Sequence, residues 1–528
     1  MESPVSFDIS STTTDAGPQP ETGTVADDQE SRPSRRRLLL GLTAAGGAAA
    51  AAAAGTEAEA ATDPVLHLLR RATYGPTPEL VAEVRAMGAT AWLDLQLTPT
   101  KIPDPVVDGL LGRWPGRNWK TWECRERVAP SERWNFSYGT PELHVARALW
   151  SRRQLLEVVV NFWNDHLVVP MPNADVYDCG HLFQRDVLRR YAFSPYTDLL
   201  AAAVRHPALL VVLDNADSGK QAPNENHARE LLELHTVGVG GYTEADVKAT
   251  ARVLTGLSID RESGLYEFKP WRHHVGPVKV LGWSHDNASA EGGEAVALSL
   301  LSYLAKHPRT ARRIVTKLAV RFVSDAPPAT LIDELAAVYT SKGTAIAPVL
   351  KALFTSTAFA AAAGKKVRTP YEDVMATLRV VGAQPPATGT KALRDLLYQL
   401  RRMGQVPMGW PAPDGYPDTA TAWAGASSTL HRWNVHIGVL GGWLLSSLPR
   451  PAVATLLPKT LPTTYGAYVD ALAARLLMAP LPSAHRTALC SYLSHEPQDR
   501  LGATDPAVTW RLPYVAALLL DSPNFAAR

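Results

Sequence analysis

The chain has 528 residues, 46% hydrophobic and 20% charged, with 53 Lys+Arg set against 51 Asp+Glu. That is too apolar for a disordered chain, and a formal charge of +2 leaves no basic excess for neutralising a phosphate backbone, which argues against dedicated nucleic-acid binding. Three dispersed cysteines, Cys124, Cys179 and Cys490, form no C-x-x-C pair, so a disulfide scaffold, a zinc ribbon and a thioredoxin-type site are excluded.

Residues 1–33 are polar and lack apolar periodicity, which reads as a disordered leader. Ser34, Arg35, Arg36 and Arg37 then introduce Leu38–Leu40 and an Ala/Gly-rich apolar run to Gly55, and Ala58-Glu59-Ala60 places small residues where a signal peptidase reads them. This is the plan of a twin-arginine-type signal. A permanent membrane span needs about 20 strongly apolar residues, and this run is shorter and mostly alanine. The expectation is a folded protein passed through the twin-arginine translocase, cleaved near Ala60 and secreted. Loss of residues 1–60 removes four arginines and nine acids, leaving the mature chain at +7.

From Asp63 the apolar spacing is helical almost throughout, predicting a mainly α, multi-helix globular array over 61–528 with long irregular loops and a possible subdivision near 290. Residues 64–98 read as two helices, the second capped by Thr77 with Pro78 in its first turn. Residues 103–140, with Trp114, Trp119, Trp122 and Trp134 among Arg, Gly and Pro, read as an irregular excursion that is functional or packs over something. Helices are expected over 141–168, 182–213, 225–239, 243–257, 291–306 and 308–322, and in eight later segments. Only 266–283 invites a short hairpin, and the Pro/Gly-rich 404–420 is a second candidate site loop.

Two clusters carry chemistry. Asn224 caps a helix on which Glu225, Asn226, Arg229, Glu230 and Glu233 share one arc of about 140°, opposite Leu231, Leu232 and Leu234, while His235 points elsewhere. The arc is either a site or a solvated face laced by pairs from Glu225 to Arg229 to Glu233. Asp165-His166, after the apolar run Leu155–Val160, supplies a carboxylate and an imidazole suited to binding metal or moving a proton. Weaker signals are His273-His274 and the tryptophans as stacking platforms. Nucleophile elbows, Walker loops and dinucleotide fingerprints are absent.

These clusters make the chain recognisable. It resembles an exported bacterial family catalogued as domain of unknown function 1800, through His67–Pro76, Phe162-Trp163-Asn164-Asp165-His166, Asn224–Val239, Tyr242–Val247, Lys279–Gly282, the Phe322–Asp325 region, and Gln405 with Trp423 and Arg432. It departs in having Asp165 where the family usually shows Asn, and His273-His274 where it often shows His-Asp. The resemblance implies export, a helical fold and a shared polar constellation, and no reaction.

The reading that follows is an extracytoplasmic enzyme, hydrolytic or oxidative, with Asp165, His166, Glu225, Arg229, Glu230 and Glu233 as catalytic candidates. Its expected cofactor is a divalent metal ion held by His166, Glu230, Glu233 and His274, and its expected partner a small-molecule or glycan substrate. The alternatives are a metal-independent carbohydrate-active hydrolase or lyase with a carboxylate pair, and a non-enzymatic binding or assembly protein with a structural salt-bridge network.

Overall fold

Asp63 opens the first described helix, Pro64–Ala72, where its carboxylate accepts from the N–H groups of Val65 (2.9 Å) and Leu66 (3.2 Å). The structure is a computed structural model that describes residues 63–528, so the leader, the twin-arginine-type signal and the cleavage position near Ala60 lie outside the described residues. Thr77 and Pro78 start Pro78–Met87 as their chemistry requires. Gly88, at φ 90°, then turns the chain into a third helix, Ala89–Gln96, where the apolar spacing had suggested only two.

The segment 141–168 divides at Ser151 into Gly139–Trp150 and Gln154–Asn164. Every residue of Gln154–Asn164 is buried, as Leu155, Leu156 and Val158–Val160 demand, with Glu157 matched by Arg189, so it forms the centre of the array. Asn161 to His166 therefore emerge at its C-terminal end, inside the protein. The 103–140 excursion is built of short helices, Pro105–Leu110, Thr121–Arg127 and Arg133–Ser137, joined by 3-10 turns. It has a small core of its own, Cys124, Val128 and Tyr177 packed with Trp119 and Phe136, and Arg125 ties it to Asp178 (2.6 Å).

The expected hairpin contributes to two separate two-stranded sheets. β1 (Leu257–Ile259) pairs antiparallel with β2 (Tyr266–Phe268), and β3 (Val278–Val280) pairs with β4 (Trp283–His285). The Asp260 carboxylate explains the first pairing: it accepts from the Ser263 N–H (2.7 Å) and hydroxyl (2.6 Å), closing a turn that folds β2 back onto β1.

Downstream, Pro308–Phe322 packs on Ala329–Ser341 and Gly293–Lys306, while Ala426–Leu440 packs on Pro370–Val380 and Leu512–Asp521. One contiguous apolar core runs from Leu66 to Phe525, and Gly293–Lys306 packs back onto Tyr196–Val204 and Glu244–Leu254. No separate core begins near residue 290 among the described residues. The fold is mainly α, with the three cysteines buried and unpaired. No described helix is long and apolar enough to cross a membrane.

Candidate functional site

The site grows from the end of the central helix. The His166 ring is buried, its Nε2 lies 2.9 Å from the Tyr196 hydroxyl, and that hydroxyl donates to the His235 carbonyl at 2.5 Å. The tyrosine proton is thus committed, so the hydroxyl oxygen accepts from His166 Nε2–H. His166 Nδ1 is left with a lone pair, and Lys317 Nζ donates to it at 3.1 Å. Burial, then Lys317 and His235, hold His166 far below its ordinary range, so it is neutral and positions the lysine. The His235 ring stands 5.9 Å from that of His166 and is likewise held neutral, pushed to about 3 by burial.

Lys317 belongs to a row that residue-type reading had passed over. Arg309, Arg313, Lys317 and Arg321 recur every four residues on Pro308–Phe322, so they lie along one helix face. Arg309 donates to the carbonyls of Val237 and Val239, Arg313 to that of Leu234 (3.1 Å), and Arg321 pairs with Glu372 at 2.6 Å. The spacing was visible in the sequence. What it faced was not.

Asp165 is half-buried, and its carboxylate accepts from Asn161 Nδ2 at 3.2 Å. Burial raises it to about 7, with Asp418 adding to the rise and Arg321 and Lys317 opposing it. Burial and Arg313 together push Lys317 down to about 8, against Asp165, Asp414 and Asp418. One carboxyl and one amine are thereby brought to adjacent protonation ranges.

The loop 404–420 closes over them. Gln405 Oε1 accepts from the Tyr371 N–H (2.9 Å), Met408 carbonyl from the Met171 N–H (2.8 Å), and Asp418 meets Lys366 (3.3 Å) and Arg321 (3.5 Å). Gly415, at φ +78°, lies directly against the Asp165 backbone, and an added Cβ would run into that residue's carbonyl oxygen. Glycine is required there on both counts.

The Glu/Arg face meets this centre from the side. Asn224 caps Glu225–Glu230 by accepting from the His227 N–H at 3.1 Å, as its position implied. Leu231–His235 then winds as a π-helix, and Thr236 donates its hydroxyl to the Leu231 carbonyl (2.7 Å). The wider turn takes Glu233 out of the four-residue register expected with Arg229, while Glu225 and Arg229 stay on the α-helical turn without pairing. Arg229 instead makes a bidentate pair with Glu244 (2.6 and 2.7 Å), and Glu233 accepts from the Tyr242 hydroxyl. Arg229 and Glu244 have side chains 36% and 66% exposed, so their pair is screened by solvent and adds little to stability. The buried salt-bridge network imagined for this face is not formed by these residues. Glu225 is exposed. Glu230 is half-buried and raised by burial, Glu233 and Asp414, and through Asp414 it shares the neighbourhood of Lys317.

Lys317 therefore touches His166 and feels the charges of Asp165 and Asp414, Asp414 in turn acts on Glu230, and Glu233 acts on Glu230 and Arg313, while Arg229 is turned away to Glu244 and Glu225 is exposed. His274 is elsewhere: its N–H donates to Thr255 Oγ1 (2.8 Å), and its ring stands near Arg252. Among the described residues it makes no hydrogen bond or ion pair with the others. A divalent ion on His166, Glu230, Glu233 and His274 does not fit this arrangement, because both His166 nitrogens are engaged and a cation at Nδ1 would displace the Lys317 ammonium. No three His, Cys, Asp or Glu among the described residues form a metal-binding group.

The chain matches the family described as Protein of unknown function (DUF1800) over residues 67–527, and it belongs to that family. No curated protein and no solved structure matches it.

Proposed function

We propose that this member of the DUF1800 family is a hydrolase or lyase that cleaves its substrate by general acid-base catalysis, the Asp165 carboxylate taking a proton from water or substrate and the Lys317 ammonium giving one to the leaving group, with no metal in the reacting centre. The observation that supports it is the convergence on Lys317 of Asp165 from the central helix, Asp414 from the anchored loop and neutral His166 behind it. With Asp165 near 7 and Lys317 near 8, an ionised carboxylate base and an ammonium acid coexist around neutral pH, where both transfer protons efficiently. Glu230 and Glu233 add acceptors at the rim, and Tyr416 of the overlying loop packs in tilted contact with Trp410 on one side and with Trp423, just beyond the loop, on the other. Hydroxyl acceptors beside aromatic rings suit a glycan. Arg35, Arg36 and Arg37 with their apolar run support a secreted enzyme, exported folded and trimmed near Ala60.

The test is a panel of polysaccharides incubated with purified protein, with and without EDTA. Cleavage is expected to survive the chelator, to follow a bell with limbs near 7 and 8, and to fall roughly 100-fold or more in Asp165→Asn and in Lys317→Met. Cleavage that EDTA abolishes and a divalent ion restores would overturn the reading, as would full activity in both variants.

A further inference from the structure

Beneath the 103–140 excursion lies a cavity of about 490 Å³, within the size range of small-molecule sites. Trp114, Trp119 and Phe136 form its apolar wall. Arg113, Arg117, Arg147, Arg185, Arg189 and Arg394 also line it, and Glu142 is the one acidic lining residue.

Three of these guanidinium groups are matched by carboxylates. Arg394 pairs with Glu142, Arg189 makes a bidentate pair with buried Glu157 (2.6 and 2.7 Å), and Arg185 makes one with Asp186 (2.7 Å each). The other three are not. Arg113 donates only to the neutral carbonyls of Pro386 (2.7 Å), Ala387 (3.3 Å) and Gly389 (3.2 Å), and Arg117 only to that of Trp114 (3.4 Å). The Arg147 side chain makes no hydrogen bond or ion pair among the described residues; burial and neighbouring Arg189 press its guanidinium below the usual arginine range, and the charges of Glu157 and Asp104 only partly offset them. The two histidines in the lining add no charge, since burial drives His144 to about 4 and also lowers His181.

Unmatched positive charge against an apolar wall is unfavourable until an anion enters, and a guanidinium offers a planar donor fork to a carboxylate or sulfate. We propose that this cavity binds an amphiphilic organic anion, its acidic group held by Arg147 and Arg117 and its ring lying against Trp114, Trp119 and Phe136. The site stands on its own residues and holds whether or not Asp165 is catalytic.

The experiment is titration calorimetry of the full chain with two anionic probes, 2-naphthoate and trigalacturonate, beside neutral 2-naphthalenemethanol and inorganic sulfate. At least one ring-bearing anion is expected to bind roughly tenfold or more tighter than the neutral ring or sulfate, and which one binds tells an aromatic acid from an acidic sugar. Arg147→Met should weaken that binding roughly tenfold or more, while the ligand-free variant melts at or above the wild-type temperature because an unmatched charge has gone. Arg117→Met serves as a second, independent variant. Failure of both anions to bind at millimolar concentration would overturn the proposal. So would sulfate or the neutral ring binding as tightly, or affinity unchanged in both variants.

Discussion

Asp165→Asn should make the protein more stable and, under the proposed chemistry, inactive. The group is held at about 7 in the fold against an ordinary 3.8, chiefly by burial. The folded state therefore disfavours the ionised form by about three pH units, which at 1.36 kcal/mol each is about 4 kcal/mol. Because the side chain keeps part of its surface in solvent, the expected gain is about 2–4 kcal/mol. The sign follows from the raised value: the penalty is absent below 3.8, grows as pH rises, and is complete above about 7. Asparagine keeps a carbonyl oxygen for Asn161 Nδ2 and nearly the same volume, so it removes the charge without leaving a hole. Urea unfolding of both proteins at about pH 4 and about pH 8 measures the difference, which should be near zero at the lower pH and reach its full value at the higher. A variant less stable at both, or equally stabilised at both, would show that Asp165 is not an ionised group held against its solvation.

Three further outcomes follow from other parts of the fold. Glu372 lies between buried Arg321 (2.6 Å) and Arg528 (3.0 Å) and accepts from the Thr369 N–H (3.0 Å); Glu372→Gln leaves buried Arg528 without a carboxylate partner and Arg321 with Asp418 alone (3.5 Å), and should cost about 3 kcal/mol in urea unfolding. Gly415→Ala places a methyl group where the Asp165 carbonyl oxygen stands and strains a positive φ, so the 404–420 loop should lift, seen as faster proteolysis within it and lost activity. Burial alone would depress His436, but Asp373 and Asp521 raise it to about 9. Its stabilising effect is complete below 6.5 and lost as pH rises to about 9, so the melting temperature should decline across that interval, and His436→Gln should flatten the decline.

Much of this architecture was legible residue by residue. Asp63, Thr77, Asn224 and the Thr243/Asp246 box start helices where their side chains reach the first free N–H groups, because capping depends on atoms three residues apart. The apolar residues of Leu155–Val160, broken only by Glu157, required a buried helix, and it carries Asp165 and His166 into the interior. The two-sheet pairing of residues 257–285 was missed because it turns on one side chain, Asp260, closing a turn outside the expected hairpin.

The sequence by itself determined the mainly α class, most helix starts, and which residues could do chemistry, since all of these depend on neighbours within one or two turns. Only the tertiary structure decided which of them meet. Arg229 went to Glu244 and Glu233 to Tyr242 on the neighbouring chain segment. His274 was left beside Thr255, and Lys317 was carried 151 residues along the chain to His166. Charge pairing across such separations follows from how helices pack, and local periodicity carries no record of it. That is why Asp165, Glu230 and Glu233 could be named in advance, and Lys317 with Asp414 and Asp418 could not.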